Sequence, residues 1–261
     1  MLLEIKDIRF SFSEGRGGAL PLLNGVSLGV GAGKVTALVG GNGTGKTTLF
    51  NIISGFETRY EGSVRFDGRD LSGLSPHRIA RLGIGRLFQG GQLPEGLSLL
   101  ECMKLSSDDR TGERPFESLL RPGRVREREE EKEAQAREIL TRVFGEGNKY
   151  LGMLGADASG FSYGEQRLLS LSCLLMGRRR LLLLDEPTSG VNPVYVESIG
   201  KIIRTMVETE GLTVLLIEHN MPFVRTVADT CAFLDGGVIS MTGLTAEVLD
   251  DRNVINSYLG V

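Results

Sequence analysis

Apolar runs that end at polar or glycine-rich turns recur in both halves of this chain. Residues 3–8 alternate apolar and charged positions, which is typical of a strand with one exposed face. Three apolar runs have the length of strands buried on both faces: Val35–Val39, Leu181–Leu184 and Leu212–Ile217. Helical patterns alternate with these runs, over 47–54, 164–176 and 194–208. The alternation predicts an α/β core with a mostly parallel sheet.

The middle of the chain, over about 95–160, has a different pattern. Strand signals are few there, and charged residues are dense between 125 and 144. Apolar residues recur in that segment at helical spacing: Ala136, Ile139, Leu140 and Val143. The charges are typical of a solvated helix face. We therefore predict a helical lobe inserted between two halves of the core.

The composition excludes several classes of protein. A net charge of −3 over 261 residues argues against nucleic-acid binding, which normally requires a basic surplus. No apolar run reaches the roughly 18 residues of a membrane span, and the first residues lack the apolar core of a signal peptide. The three cysteines lie far apart, so we expect buried or free thiols rather than a metal site or a disulfide: Cys102, Cys173 and Cys231.

A glycine-rich loop connects the Val35–Val39 strand to the helix that follows it. The loop reads Gly40-Gly41-Asn42-Gly43-Thr44-Gly45-Lys46-Thr47 and fits the pattern G-x-x-x-x-G-K-[ST]. Its backbone N–H groups and the helix N-terminus suit phosphate oxygens. Lys46 should reach the β- and γ-phosphates of ATP, and the Thr47 hydroxyl should bind Mg²⁺. We assign the loop and Thr48 to nucleotide binding.

Two carboxylates follow the second buried strand, at Asp185 and Glu186. We expect Asp185 to hold Mg²⁺ and Glu186 to orient or deprotonate the attacking water. Gln89 and His219 also stand at the ends of short apolar runs. Taken singly, each of these two is more typical of an ordinary polar residue at a strand edge than of a catalytic one.

A second possible phosphate site lies in Phe161-Ser162-Tyr163-Gly164-Glu165-Gln166. Ser162 and Glu165 have the spacing of a capping box, which predicts a helix N-terminus. Such a terminus also suits phosphate. Because the loop before Lys46 already supplies one phosphate site, the second one suggests a nucleotide that is supplied by another subunit.

The order of these motifs resembles that of the ATPases of the ABC transporter family. The resemblance covers essentially the whole chain and implies a single ABC ATPase domain over 1–261 with the P-loop NTPase fold. Its RecA-like core would span about 1–94 and 161–261, with an antiparallel β part, and the helical lobe about 95–160. The family signature Leu-Ser-Gly-Gly-Gln corresponds to Phe161 through Glu165.

The resemblance also implies roles for single residues. Two subunits would stack head to tail, so that Ser162, Gly164 and Glu165 contact the ATP held by the phosphate loop of the partner. Gln89 would join Thr47 and Asp185 at Mg²⁺ and sense the γ-phosphate, and His219 would contact that phosphate and position the water. An aromatic residue would stack on adenine, with Phe12 as the first candidate and Phe10 as the competing one.

Three positions depart from the family pattern, at Tyr163, Glu165 and Asn192. None of them removes a phosphate or metal ligand, so we expect hydrolysis of ATP. Three short sequences resemble those of the ATPases of branched-chain amino-acid importers: Gly164 to Arg167, Glu186 to Pro193 and Glu218 to Met221. Importers of urea or short amides are close relatives, and they are the alternative.

The resemblance also implies that the chain works together with other proteins. We expect a second ATPase subunit, identical or a sibling, together with transmembrane permease subunits and, indirectly, a solute-binding protein. The chain would lie peripherally on the cytoplasmic face of the inner or plasma membrane. A soluble ABC ATPase without a membrane partner remains an alternative, and an exporter ATPase would share every catalytic residue.

Overall fold

The computed structural model of the chain describes residues 1–14, 18–108 and 122–259, and it separates into two compact units. The first unit comprises Met1–Gln89, Arg180–Gly190 and Ile199–Val261, and the second comprises Gly90–Arg179 and Val191–Ser198. Residues 109–121, within the predicted helical lobe, lie outside the described residues.

The strands, in chain order, are β1 (Leu3–Glu14), β2 (Gly18–Val30), β3 (Val35–Val39), β4 (Glu61–Phe66), β5 (Arg69–Asp70), β6 (Ile84–Leu87), β7 (Leu181–Asp185), β8 (Thr213–Ile217), β9 (Thr230–Asp235) and β10 (Val238–Leu244). The described helices are α1 (Lys46–Ile53), α2 (Pro76–Arg81), α3 (Leu99–Leu105), α4 (Pro122–Phe144), α5 (Lys149–Gly152), α6 (Tyr163–Leu174), α7 (Pro193–Glu210), α8 (Met221–Val227), α9 (Thr245–Leu249) and α10 (Arg252–Leu259).

A six-stranded sheet forms the centre of the first unit, in the order β10-β9-β3-β8-β7-β6. The strands from β9 to β6 run parallel, and β10 is antiparallel to β9. Every residue of β3, β7 and β8 is buried, as their apolar runs predict. The mostly parallel α/β core is therefore confirmed. Because parallel strands end at the same edge, the residues after β3, β6, β7 and β8 come together there.

A second sheet in the same unit is antiparallel throughout, in the order β2-β1-β4-β5. This sheet is the antiparallel part that the family resemblance implies. Its apolar residues share one core with α1 and with the central strands of the six-stranded sheet, including Leu3, Ile8, Val26, Phe50, Leu183 and Leu215. Helix α1, which begins at Lys46, is thereby held in this core by its buried apolar residues.

The second unit is helical in its described residues and has its own apolar core. The charge-rich segment forms α4, and its periodic residues Ala136, Ile139 and Leu140 are buried, as predicted. The unit is larger than the predicted lobe of 95–160, because it also takes in residues 90–94, 161–179 and 191–198. The reason lies in packing: Phe161, Leu169 and Cys173 are buried in the same core as α3 and α4.

The three cysteines are buried and form no disulfide. Burial raises the pKa of Cys173 to about 12 and that of Cys231 to about 12. These thiols are therefore protonated and unreactive at neutral pH, because the thiolate is the reactive form. Among the described helices, none combines the length and the apolar character that crossing a bilayer requires.

Candidate functional site

The loop between β3 and α1 lies so close to other parts of the chain that two of its positions leave no room for a side chain. A Cβ on Gly40 would lie 2.3 Å from the carbonyl oxygen of Leu234. Gly45 has φ near +100°, and a Cβ there would lie 2.5 Å from the Leu23 side chain. Both positions favour glycine for steric reasons. At the outer side of the loop, Asn42, Gly43 and Thr47 are exposed and Thr48 is half-buried.

Lys46 is buried, with 6% of its surface exposed, and its ammonium group donates to two carbonyl oxygens of its own loop. The Nζ–O distances are 2.8 Å to Gly40 and 2.7 Å to Gly41. Burial lowers the pKa of Lys46, while the charges of Glu186 and Asp185 raise it. Charged acceptors form stronger hydrogen bonds than carbonyl groups. The loop therefore holds an ammonium group that can transfer its hydrogen bonds from these carbonyl oxygens to a phosphate.

Asp185 ends β7 and is completely buried. Its Oδ2 accepts from the Arg86 guanidinium at 3.3 Å, and its buried Oδ1 has no hydrogen-bond partner among the described residues. Burial raises the pKa of Asp185, while the charge of Arg86 and the Thr47 hydroxyl lower it. A free carboxylate oxygen beside a hydroxyl is the oxygen-only donor set that Mg²⁺ prefers. These residues therefore fit a magnesium ion.

The backbone of Glu186 is strained, and its carboxylate lies between two other predicted site residues. Its φ of 48° is uncommon for a residue other than glycine, and such outliers cluster at functional sites. The Gln89 amide donates to Glu186 Oε2 at 2.8 Å, and His219 Nε2 lies 3.2 Å from Glu186 Oε1. Gln89 and His219, which are ambiguous in the sequence, thus meet at one carboxylate.

The remaining predicted residues of the signature belong to the second unit. Ser162 is the N-cap of α6, and the predicted capping box with Glu165 is present. The Glu165 carboxylate accepts from the Ser162 backbone N–H at 3.0 Å, from the Ser162 hydroxyl at 2.7 Å and from Lys149. These donors lower the pKa of Glu165 to about 2, with Lys149 as the largest cause. At Gly164, a Cβ would lie 2.5 Å from the Tyr195 ring.

The two candidates for adenine stacking differ in exposure. Phe10 is 5% exposed and part of the core of the first unit, whereas Phe12 is 50% exposed. Their rings meet edge to face with centroids 5.1 Å apart. Only Phe12 therefore presents an accessible ring face for a base.

Sequence reasoning missed two buried charged residues beside the site, Arg86 and Glu218. The Nη1 of Arg86 donates to Asn51 Oδ1 at 2.8 Å and to Ser54 Oγ at 2.7 Å, so Arg86 connects α1 to Asp185. Glu218 follows β8 directly and is 2% exposed. The sequence does carry an indication of both residues, because each is a charged residue inside or directly after an apolar strand. Charged residues are rarely buried at such positions unless they are paired with another group.

Comparisons with known proteins agree on one family. A family model described as ABC transporter matches residues 23–189. The high-affinity branched-chain amino acid transport ATP-binding protein BraF of Pseudomonas aeruginosa is 31% identical over 259 residues, which are 99% of this chain and 98% of BraF. LivG of Salmonella typhimurium, with the same description, is 31% identical over 94% of both chains.

Solved structures agree with this result. The ADP conformation of an ATP-binding cassette of an ABC transporter superposes with a TM-score of 0.81 at 30% identity, covering 100% of this chain and 99% of that one. A nucleotide-free ATP-binding cassette from an ABC transporter gives a TM-score of 0.80 at 30% identity, with the same coverage.

The depressed pKa of Glu165 makes the stability of the protein depend on pH. Its folded pKa of about 2 lies below its ordinary value of 4.5, so the ionised carboxylate stabilises the folded state above pH 4.5, and this contribution is lost as the pH falls towards 2. We expect the difference in unfolding free energy between wild type and Glu165→Gln to shrink over that range. Urea denaturation of both proteins at pH 7, 4.5 and 3 measures it, and a difference independent of pH would contradict the assignment.

Proposed function

Since this chain belongs to the ABC transporter family and hydrolyses ATP, we propose that it drives the import of branched-chain amino acids through a separate membrane protein. The observation that carries the catalytic part of the proposal is the Glu186 carboxylate, held between Gln89 and His219 and next to the buried pair of Lys46 and Asp185. The transport part is supported by BraF and LivG, whose descriptions name that substrate class.

The phosphate loop binds the triphosphate of ATP. Lys46 transfers its hydrogen bonds from the Gly40 and Gly41 carbonyl groups to the β- and γ-phosphates. The backbone N–H groups of Gly41 to Thr48 surround the phosphates, and Phe12 stacks on adenine. The residues that would hold Mg²⁺ are Thr47, Asp185 and Gln89. When bound, the ion neutralises charge that develops on the phosphates.

Glu186 acts on the attacking water. Its carboxylate already accepts a hydrogen bond from Gln89, and His219 lies on its other oxygen. A water that enters beside the γ-phosphate gives its proton to Glu186 as its oxygen attacks phosphorus. The bond between that phosphorus and the oxygen bridging to the β-phosphate breaks, and ADP leaves. His219 and Gln89 keep the carboxylate turned towards that water. His219 also contacts the γ-phosphate.

Two copies, or one copy and a sibling ATPase, complete each nucleotide site. Ser162, Gly164 and Glu165 begin α6 in the second unit, while the phosphate loop lies in the first. Each signature helix N-terminus then contacts the nucleotide that the other subunit binds. The Glu165 carboxylate is occupied by Lys149 and Ser162, so in this proposal it positions Ser162 rather than touching phosphate directly.

Transport requires further chains. Permease subunits would form the membrane path, a solute-binding protein would deliver the amino acid, and this subunit would lie peripherally on the cytoplasmic side. None of the residues assigned above would touch the transported solute. The substrate assignment is therefore carried by the relatives alone.

Replacing the proposed base should separate ATP binding from hydrolysis. We expect Glu186→Gln to lower kcat by about 10²–10⁴-fold, because an amide cannot accept the proton, while ATP still binds. Lys46→Ala is the matched variant that should lose ATP binding itself. ATPase assays and equilibrium binding of a fluorescent ATP analogue measure both effects. Turnover of Glu186→Gln at the wild-type rate would show that Glu186 is not the base.

Complementation tests the shared site in a homodimer. Ser162→Arg and Lys46→Ala should each abolish hydrolysis alone, because every site then contains one defect. A mixture of the two proteins contains dimers in which one site has both defects and the other has none. We expect the mixture to hydrolyse ATP faster than either variant. Loss of ATP binding by monomeric Ser162→Arg protein, or no recovery on mixing, would contradict action across the dimer.

Uptake measurements test the substrate. Cells that express this subunit with its partners should lose uptake of leucine, isoleucine and valine when it carries Lys46→Ala, and uptake of urea should not change. A loss confined to urea would instead support the alternative importer class. Unchanged uptake of all four solutes would overturn the transport proposal without affecting the ATPase assignment.

A further inference from the structure

Glu218 carries a buried carboxylate that has no role in the mechanism proposed above. It lies directly after β8 and accepts four hydrogen bonds, two on each oxygen. Oε1 accepts from the Thr188 backbone N–H at 2.8 Å and from the Thr188 hydroxyl at 2.5 Å. Oε2 accepts from the backbone N–H groups of His219 at 3.0 Å and Asn220 at 3.2 Å.

These hydrogen bonds join the two loops that carry the reactive pair. Thr188 stands two residues after Glu186, in the loop that follows β7. His219 comes directly after Glu218, in the loop that follows β8. One oxygen of Glu218 holds the first loop and the other holds the second. The distance between Glu186 and His219 therefore depends on this one side chain as well as on the pairing of the strands.

The strained backbone of Glu186 makes such a connection necessary. A residue other than glycine keeps a φ of 48° only when its surroundings fix it. On one side, the Glu186 N–H donates to the Ile217 carbonyl at 2.9 Å. On the other side, the loop is held at Thr188 by Glu218. Without the second attachment, the loop is free to relax and to move the Glu186 carboxylate.

We propose that Glu218 is a positioning residue that fixes Glu186 and His219 relative to each other. The proposal rests on the roles given to these two residues above. A carboxylate suits the task because both of its oxygens accept hydrogen bonds, and charge assistance makes those bonds strong. A glutamine would turn its NH₂ group towards the N–H donors of one loop, and that loop would lose its attachment.

A double-mutant cycle tests the proposal. We expect Glu218→Gln to lower kcat about 10–100-fold, because displacing a reacting group by 1 Å can cost about 100-fold, with little change in the KM for ATP. In a His219→Ala background the same substitution should cost clearly less. Equal losses in both backgrounds would overturn the proposal, since a merely structural residue would act independently of His219.

The Thr188 hydroxyl supplies a second test that does not require Glu218→Gln to fold. Thr188→Val preserves shape but removes one hydrogen bond to Glu218, whereas Thr188→Ser keeps it. We expect Thr188→Val to lower kcat and Thr188→Ser to recover most of the loss, when both are assayed well below the temperature at which either unfolds. Equal rates for the two variants would contradict the proposal. If His219→Ala and Glu186→Gln both leave kcat unchanged, the proposed function fails instead.

Discussion

The ion pair between Asp185 and Arg86 is the interaction on which the site depends. Both side chains are buried, and an isolated buried charge costs several kcal/mol. Arg86 offsets part of this cost for Asp185, and it is itself held by Asn51, Ser54 and the face of the Phe88 ring, 4.4 Å from its guanidinium carbon. One oxygen of Asp185 stays without a partner among the described residues. The pair thus fixes the carboxylate and leaves one oxygen for a cation.

The parallel sheet explains why these groups meet. Lys46 follows β3, Arg86 lies in β6 shortly before Gln89, Asp185 ends β7, and Glu218 and His219 follow β8. Their strands are neighbours in the sheet, and they end at one edge. The ends of the strands thereby bring Gln89 and His219, which are 130 positions apart (89 to 219), to the same Glu186 carboxylate. Ligands of open α/β sheets bind at this edge.

Much of this arrangement could be predicted from the sequence, for identifiable reasons. The phosphate loop is a local motif, and buried parallel strands leave continuous apolar runs, so Lys46, Asp185 and the α/β core were recognisable. Gln89 and His219 were not decidable singly, because only tertiary structure brings them to Glu186. Arg86 and Glu218 were missed because the role of a charged residue in or directly after an apolar strand depends on its hydrogen-bond partners. Those partners are known only from the structure. The extent of the helical unit depends on packing of Phe161 and Leu169, which periodicity does not reveal.

We propose that Lys46, Asp185 and Glu186 surround the reacting phosphate of ATP. A crystal structure of the Glu186→Gln protein with ATP and Mg²⁺ tests it most directly. We predict that Lys46 Nζ leaves the carbonyl oxygens of Gly40 and Gly41 for phosphate oxygens, that the ion contacts Thr47 and lies beside the free oxygen of Asp185, and that Arg86 keeps its hydrogen bond to Asp185. A nucleotide bound elsewhere, or an ion with no relation to Asp185, would contradict the account.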